Sequence, residues 1–296
     1  MEKVYLDYHN VVGKSHKLTL LLGNFDGLHR GHLELVIAGK KATEGDLGVL
    51  LFDKNPADFF LNGKSHSVLT SLDDRLRLFE AEKLEVAYIL KIDKAFFDLS
   101  PEDFIEKILK PLQPERIIVG TDYTFGKDAV GSDELLKQNF AVEEVSLLDY
   151  EGQKVSTQRI IADLAAGDLA SANGQLGRDY EIHGTIAHGF ENGRKIGFPT
   201  ANLSFSTPYA LPKNGVYLGL AYLRGRPYQT LINVGINPTI GLLKKPKVEC
   251  YLEGFSGNAY GETLYVTFSK RLRDEMTFKN LEELKAQIEK DKAAFR

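Results

Sequence analysis

Two fold classes share this chain. The first half reads as α/β, a doubly wound parallel sheet. The second reads as all-β, an antiparallel barrel closed by a terminal helix. Three observations predict this. Continuous apolar runs alternate with helix-like segments through the first half, the pattern of a parallel sheet covered on both faces. The second half turns to short alternating strands with Gly and Pro in the gaps, as in an antiparallel barrel. The stretch from Leu281 to Phe295 is amphipathic with helical spacing.

Each element has its own justification. Apolar runs at Leu18 to Leu22, Leu47 to Phe52, Val86 to Ile92, Arg116 to Gly120 and Ala141 to Leu148 are the expected parallel strands. Between them, Leu33 to Lys41, Ser71 to Lys83, Pro101 to Leu109 and Ser132 to Gln138 carry helical patterns. Ser100 before Pro101, and Ser132, supply N-terminal signals for the last two. A short helix is expected near Ser156 to Ala166. Strand candidates then follow at Tyr180 to Ala187, Gly215 to Tyr222, Tyr228 to Val234, Val248 to Leu252 and Leu264 to Phe268. The change of pattern places a boundary at Leu176-Gly177, giving domains 1–176 and 177–296.

Composition narrows the function. Hydrophobic content of 43% with 26% charged residues suits a globular chain able to bury a sizeable core. A net charge of -4 without basic runs argues against nucleic acid or a membrane surface as partner. No apolar stretch approaches membrane-spanning length, and Met1-Glu2-Lys3-Val4-Tyr5 lacks a signal pattern. Cys250 is the only cysteine, so an internal disulfide or cysteine metal cluster is ruled out. A cytoplasmic enzyme or binding protein is expected.

The densest segment is Gly23-Asn24-Phe25-Asp26-Gly27-Leu28-His29-Arg30-Gly31-His32. It follows an expected strand and opens an expected helix. Backbone N–H groups at a helix N-terminus favour anions. Gly27 and Gly31 let the backbone approach a ligand. Two imidazoles three residues apart could face one ligand and stabilise phosphate charge during transfer. The blander alternative has His32 capping the helix and His29 on the surface. No third ligand lies at a spacing typical of zinc.

This segment resembles the nucleotidyltransferase signature of prokaryotic bifunctional riboflavin kinase/FAD synthetases. Phe52-Asp53-Lys54-Asn55-Pro56, Gly120-Thr121-Asp122-Tyr123-Thr124-Phe125-Gly126 and Val155-Ser156-Thr157-Gln158-Arg159 resemble later segments of the same domain. The resemblance implies transfer of AMP from ATP to FMN, giving FAD and pyrophosphate. It implies that His29 and His32 bind ATP phosphates and stabilise the transition state. Gly23, Phe25, Asp26, Gly27 and Gly31 would shape the nucleotide site, and Asp122 and Phe125 would help form flavin or adenine pockets. Ser156, Thr157 and Arg159 would complete the phosphate site. The chain departs from the family pattern at Asn55, Gln158 and Ile161.

The second dense segment is Gly193-Arg194-Lys195-Ile196-Gly197-Phe198-Pro199-Thr200-Ala201-Asn202-Leu203. Pro199 keeps Phe198 extended, and Thr200 and Asn202 then point the same way. A hydroxyl and an amide oxygen are hard donors suited to Mg²⁺ bridging nucleotide phosphates. Arg194 and Lys195 add positive charge. An ordinary loop leading to a strand is the alternative.

The whole string resembles the riboflavin kinase signature. Gly215-Val216-Tyr217, Asn233 to Thr239, Val248-Glu249, Phe255, Tyr260-Gly261 and Arg271-Leu272-Arg273 follow in the same family's order. The resemblance implies Glu249 as general base toward the riboflavin 5′-hydroxyl, and Thr200 and Asn202 as Mg²⁺ ligands. It implies Arg273 as a flavin or phosphate contact, and the 184–193 segment with Gly189 as a flap over ATP. The alternative for Glu249 is a solvent-facing strand residue; Val248, Cys250 and Leu252 around it give no clean alternation. ATP, riboflavin, FMN and FAD are thus the expected partners. Two further readings stay open: a kinase without adenylyltransferase activity, and a non-catalytic flavin- or nucleotide-binding regulator.

Overall fold

The structure, a computed structural model, describes residues 1–13, 17–60, 66–188, 197–237 and 245–295. The chain divides into two compact units, Met1–Thr157 and Gln158–Arg296.

The first unit is a six-stranded parallel sheet of β1 (Glu2–Asp7), β2 (Leu18–Leu22), β3 (Leu47–Phe52), β4 (Val86–Lys91), β5 (Pro114–Gly120) and β6 (Ala141–Val145). Their order is β1-β4-β3-β2-β5-β6. From β2 the chain winds outward through α1 (Arg30–Ala42), β3, α2 (Leu72–Ala81) and β4, then returns to place β5 on the other side of β2. The carboxyl end of β2 is therefore the topological switch point, where sheets of this kind open a crevice for ligands.

Apolar clusters cover both sheet faces. Leu35 and Val36 of α1 with Leu76 and Phe79 of α2 line one. Phe104, Ile105, Ile108, Leu109 and Leu112 of α3, with Leu136 of α4 (Asp133–Lys137), line the other. Helix α3, over 101–112, opens on Pro101 with Ser100 as cap and contains a π-turn at Ile105–Leu109. The run expected to reach Leu148 leaves the sheet at Val145 and continues as a hairpin of β7 (Asp149–Tyr150) and β8 (Gln153–Lys154).

Strand β1 carried no apolar run. It is an edge strand of which only Val4 and Leu6 are buried, while Tyr5 is exposed.

Helix α5 (Thr157–Ala166), all but its first residue in the second unit, is followed by α6 (Leu169–Leu176), which adds to the helices expected from the sequence. Asp168 caps it, and Gly177, at φ 74°, ends it.

The strands are β9 (Tyr180–Ala187), β10 (Thr200–Ser204), β11 (Gly215–Leu223), β12 (Arg226–Asn237), β13 (Lys245–Leu252), β14 (Thr263–Phe268) and β15 (Lys270–Arg273). They run in the order β12-β13-β10-β9-β14-β11-β15, and the β11–β12 hairpin closes six of them into an antiparallel barrel. Strands β14 and β15 flank successive parts of β11, interrupted at Ser269, whose N–H donates to the Leu218 carbonyl at 2.8 Å.

The interior is filled by Ile182, Tyr217, Ile232, Val248, Cys250, Leu264, Val266 and Phe268, all buried. A Cβ on Gly219 would lie 1.7 Å from the Thr267 carbonyl oxygen, so only glycine fits there. Helix α7 (Leu281–Lys292) ends in a 3-10 turn at Ala293–Phe295.

Candidate active sites

The first site lies at the switch point. Beyond β2 the backbone turns through left-handed conformations at Phe25 (φ 53°), Gly27 (φ 81°) and Leu28 (φ 35°). Two of these residues carry side chains that disfavour such angles, a form of strain that surrounding structure must hold in place.

The holding contacts centre on Asp26. Its buried carboxylate accepts from the N–H groups of Leu69 (3.1 Å) and Thr70 (2.8 Å) and from the Thr70 hydroxyl (2.8 Å). The Gly27 N–H donates to the Thr70 hydroxyl oxygen at 2.8 Å, and Arg75 donates to the Asn24 carbonyl at 2.8 Å. Burial pulls the Arg75 guanidinium below its ordinary pKa, while Asp26 and Asp74 oppose that shift.

The Thr157 hydroxyl donates to the Asp26 carbonyl at 3.0 Å, so the end of the first unit comes back to the motif. Thr70 and Arg75 were not among the residues singled out from sequence. Their one sequence signal is the Ser71-to-Asp74 capping box that opens α2.

The blander reading is corrected: the first histidine, not the second, is the cap, and the second is half-buried rather than on the surface. His29, buried, is the N-cap of α1, and its Nδ1 accepts from the His32 N–H at 3.3 Å. His32 lies in the first turn, and the two rings stack with centroids 3.6 Å apart and planes 13° from parallel. Phe25 meets the His32 ring edge-on at 5.2 Å. A Cβ on Gly31 would stand 3.3 Å from the His29 ring, and one on Gly23 would stand 3.1 Å from the Phe25 ring. These glycines let the two rings lie against the backbone. The result is a pair of parallel imidazoles on the N-terminus of a 13-residue helix.

Other residues of the first motif set are placed differently. Phe125 is buried in the core, tilted on Phe104 at 5.4 Å and stacked on Tyr123 at 5.9 Å. Asp122 pairs with Lys154 at 2.5 Å near the surface. Asn55 caps the 3-10 turn Pro56–Phe59, its side chain accepting from the Ala57 N–H at 3.0 Å. Ser156 immediately precedes α5 in the first unit, while Arg159 lies on α5 in the second.

The second site lies on the outer face of the barrel. In the ladder, Asn202 of β10 stands opposite Glu249 of β13, and Glu249 stands opposite Asn233 of β12. Residues directly opposite share a face, so the three form a row across three adjacent strands. Thr200, two residues from Asn202, is on the same face and opposite Tyr251.

The expectation that Val248, Cys250 and Leu252 give no alternation is corrected. All three are buried inside the barrel, and Glu249 and Tyr251 alternate outward. Lys247, not singled out from sequence, pairs with Glu249 at 2.7 Å. Burial pushes the Cys250 thiol far above its ordinary pKa, and Glu249 adds to the shift. Arg273 directs its guanidinium to Asp291 of α7 through contacts of 2.7 to 3.1 Å. Gly189, Arg194 and Lys195 lie outside the described residues; of the expected flap, 184–187 form the end of β9 and 189–193 lie outside the described residues.

Fold and sites together define a class: a nucleotide-handling α/β domain joined to a kinase-type β-barrel. Comparison with known proteins gives the family. The FAD synthetase family model matches residues 12–159 and the riboflavin kinase model matches residues 176–296.

A bifunctional riboflavin kinase/FMN adenylyltransferase of Bacillus subtilis is 32% identical over 295 residues, covering 96% of this chain and 93% of that protein. The Haemophilus influenzae protein so named is 34% identical, covering 96% and 94%. A crystal structure described as a macrolide-efflux protein from Streptococcus pneumoniae superposes with a TM-score of 0.89 at 28% identity, covering 99% and 98% of the two chains. The chain belongs to the bifunctional riboflavin kinase/FMN adenylyltransferase family. Among the described residues no helix is long and apolar enough to cross a membrane.

Proposed function

We propose that this chain phosphorylates riboflavin with ATP to give FMN and ADP, and adenylylates FMN with a second ATP to give FAD and pyrophosphate. The observation that supports this best is the placement of two phosphate-directed constellations in two separate units: stacked imidazoles at a helix N-terminus, and an Asn–Glu–Asn row on a barrel. The functional domains are taken as 1–176 and 177–296.

In the barrel site the Glu249 carboxylate accepts the proton of the riboflavin 5′-hydroxyl as its oxygen bonds to the γ-phosphorus and the bond to ADP breaks. Phosphoryl transfer of this kind depends mainly on positioning and charge stabilisation. Thr200 and Asn202 offer neutral hard oxygens on one face beside Glu249, a donor set that fits Mg²⁺ retaining waters and nucleotide phosphates. Mg²⁺ there would neutralise charge on the transferring phosphate. Asn233 flanks the base on its other side, and Arg194 and Lys195 belong to the same phosphate-binding segment.

In the α/β site an FMN phosphate oxygen attacks the α-phosphorus of ATP and pyrophosphate leaves. His29, His32 and the first-turn N–H groups of α1 hold the phosphates and the charge that develops on them. Asp26 acts by holding the loop, and Gly23, Gly27 and Gly31 keep the backbone close to the nucleotide. Phe25 backs His32, and Thr157 ties the loop to residues that follow the hairpin. Ser156 and Arg159 lie beside Thr157 in sequence and are assigned to the phosphates. Asp122 and Phe125 are assigned to the flavin or adenine side, Gly189 to the flap, and Arg273 to the flavin edge of the barrel.

The test supplies the purified chain with ATP and Mg²⁺, and with riboflavin or FMN in separate reactions. FMN from the first and FAD from the second are expected, and a chelator in place of Mg²⁺ abolishes FMN formation. Robust kinase activity without FAD formation would leave only the kinase reading.

A further inference from the structure

The last turn of α7 carries two polar residues, Asp291 and Lys292, to which neither reaction assigns a role. Asp291, buried, is bonded to Arg273 of β15. The next residue, Lys292, places its ammonium 5.4 Å from the ring centroids of both Phe198 and Tyr251. It also lies 3.2 Å from the Glu253 carboxylate and 3.9 Å from Glu289. Burial works against its charge, but Glu253 and Tyr251 outweigh that and hold its pKa above the ordinary lysine value.

The two rings are not remote packing. They meet edge-on at 5.2 Å. Phe198 stands two residues before Thr200, and Tyr251 stands opposite Thr200 in the ladder. Thr200 is the first residue of β10, so on its N-terminal side Phe198, rather than the ladder, fixes the chain.

We propose that Lys292 is a positioning residue for the kinase reaction: from the terminal helix it grips the Phe198–Tyr251 pair and so sets the place of Thr200, the start of β10, which among the described residues pairs with β13 alone. This rests on the reading of Thr200 and Asn202 as the Mg²⁺–ATP ligands. A cation seated over two aromatic faces is held by their quadrupoles, and a partly desolvated seat strengthens the hold. Removing the charge while keeping the stem frees Phe198 without opening a cavity. The cost then falls on ATP, because the strand that Phe198 leads into carries those ligands.

The test is steady-state riboflavin kinase kinetics on the full chain. K292M is expected to raise the KM for Mg²⁺–ATP roughly 3- to 20-fold, the range a lost cation–π seat permits. The KM for riboflavin stays within about twofold, K292R restores most of the loss, and FAD formation from FMN, measured on the same protein, keeps its rate. If K292M fails to fold, K292Q takes its place with the same expectation.

An unchanged KM for Mg²⁺–ATP, or equal losses for both substrates that K292R does not restore, overturns the proposal. Thr200→Ala separates the two levels. If it raises the KM for Mg²⁺–ATP and K292M does not, the Lys292 proposal alone fails. If neither does, the reading of Thr200 and Asn202 fails beneath it.

Discussion

Asp26 shows what a single residue contributes at this scale. Its carboxylate is spent on Leu69 and Thr70, inside a loop whose neighbours Phe25 and Leu28 sit at unfavourable backbone angles. Asp26→Ala would leave two buried N–H groups without acceptors, each costing about 1–3 kcal/mol. The stability of the first unit is therefore expected to fall by roughly 2–6 kcal/mol, with loss of FAD synthesis. Urea unfolding checks this. A variant of parental stability that loses activity would assign Asp26 to the ligand instead. His29 gives the complementary case. A histidine placed as an N-cap fixes its own ring and the ring three residues on, so the two imidazoles are positioned by one local contact and by the space at Gly31.

Among the elements, the four inner parallel strands of the first unit were legible because each carries a continuous buried apolar run, whereas β6 is an edge strand with two glutamates and no buried residue. Strand β1 was not legible, since an edge strand with one buried face needs only two apolar residues. Strand β10 escaped for a different reason. Thr200, Asn202 and Ser204 face outward, and the strand is held by β9 and β13 on either side rather than by apolar composition. The same cause hid the Asn202–Glu249–Asn233 row. Each member was visible in sequence, but register between non-consecutive strands is set by the closed barrel. The Arg273–Asp291 pair, between β15 and α7, likewise depends on which face of the terminal helix is covered. Asp291→Asn should lower the stability of the second unit by roughly 2–3 kcal/mol, because it weakens charged hydrogen bonds in a shielded place. Thermal unfolding reads this directly, and a shift near zero would mean that solvent already screens the pair.

At the scale of the whole molecule, two units each carry one phosphate chemistry, and the two chemistries call for different devices. In the proposed scheme adenylyl transfer uses a helix N-terminus with imidazoles, which donates to phosphate without a strong base. Hydroxyl phosphorylation, in the same scheme, uses a carboxylate beside hard oxygen donors, which accepts a proton. The departures at Asn55, Gln158 and Ile161 all lie within or just after the sequence segments that resemble the adenylyl-transfer domain, and Asn55 has taken a local capping role. The barrel row, by contrast, is intact from Asn202 to Asn233.

The measurement that tests this division most directly supplies riboflavin and FMN separately, with ATP and Mg²⁺, to two single variants of the full chain. His32→Ala is expected to lower FAD formation from FMN by roughly 100-fold or more while FMN formation from riboflavin stays near parental. Glu249→Gln is expected to do the reverse, lowering riboflavin phosphorylation by roughly 100-fold or more and sparing FAD formation from added FMN. Parallel loss of both activities in either variant would contradict the account.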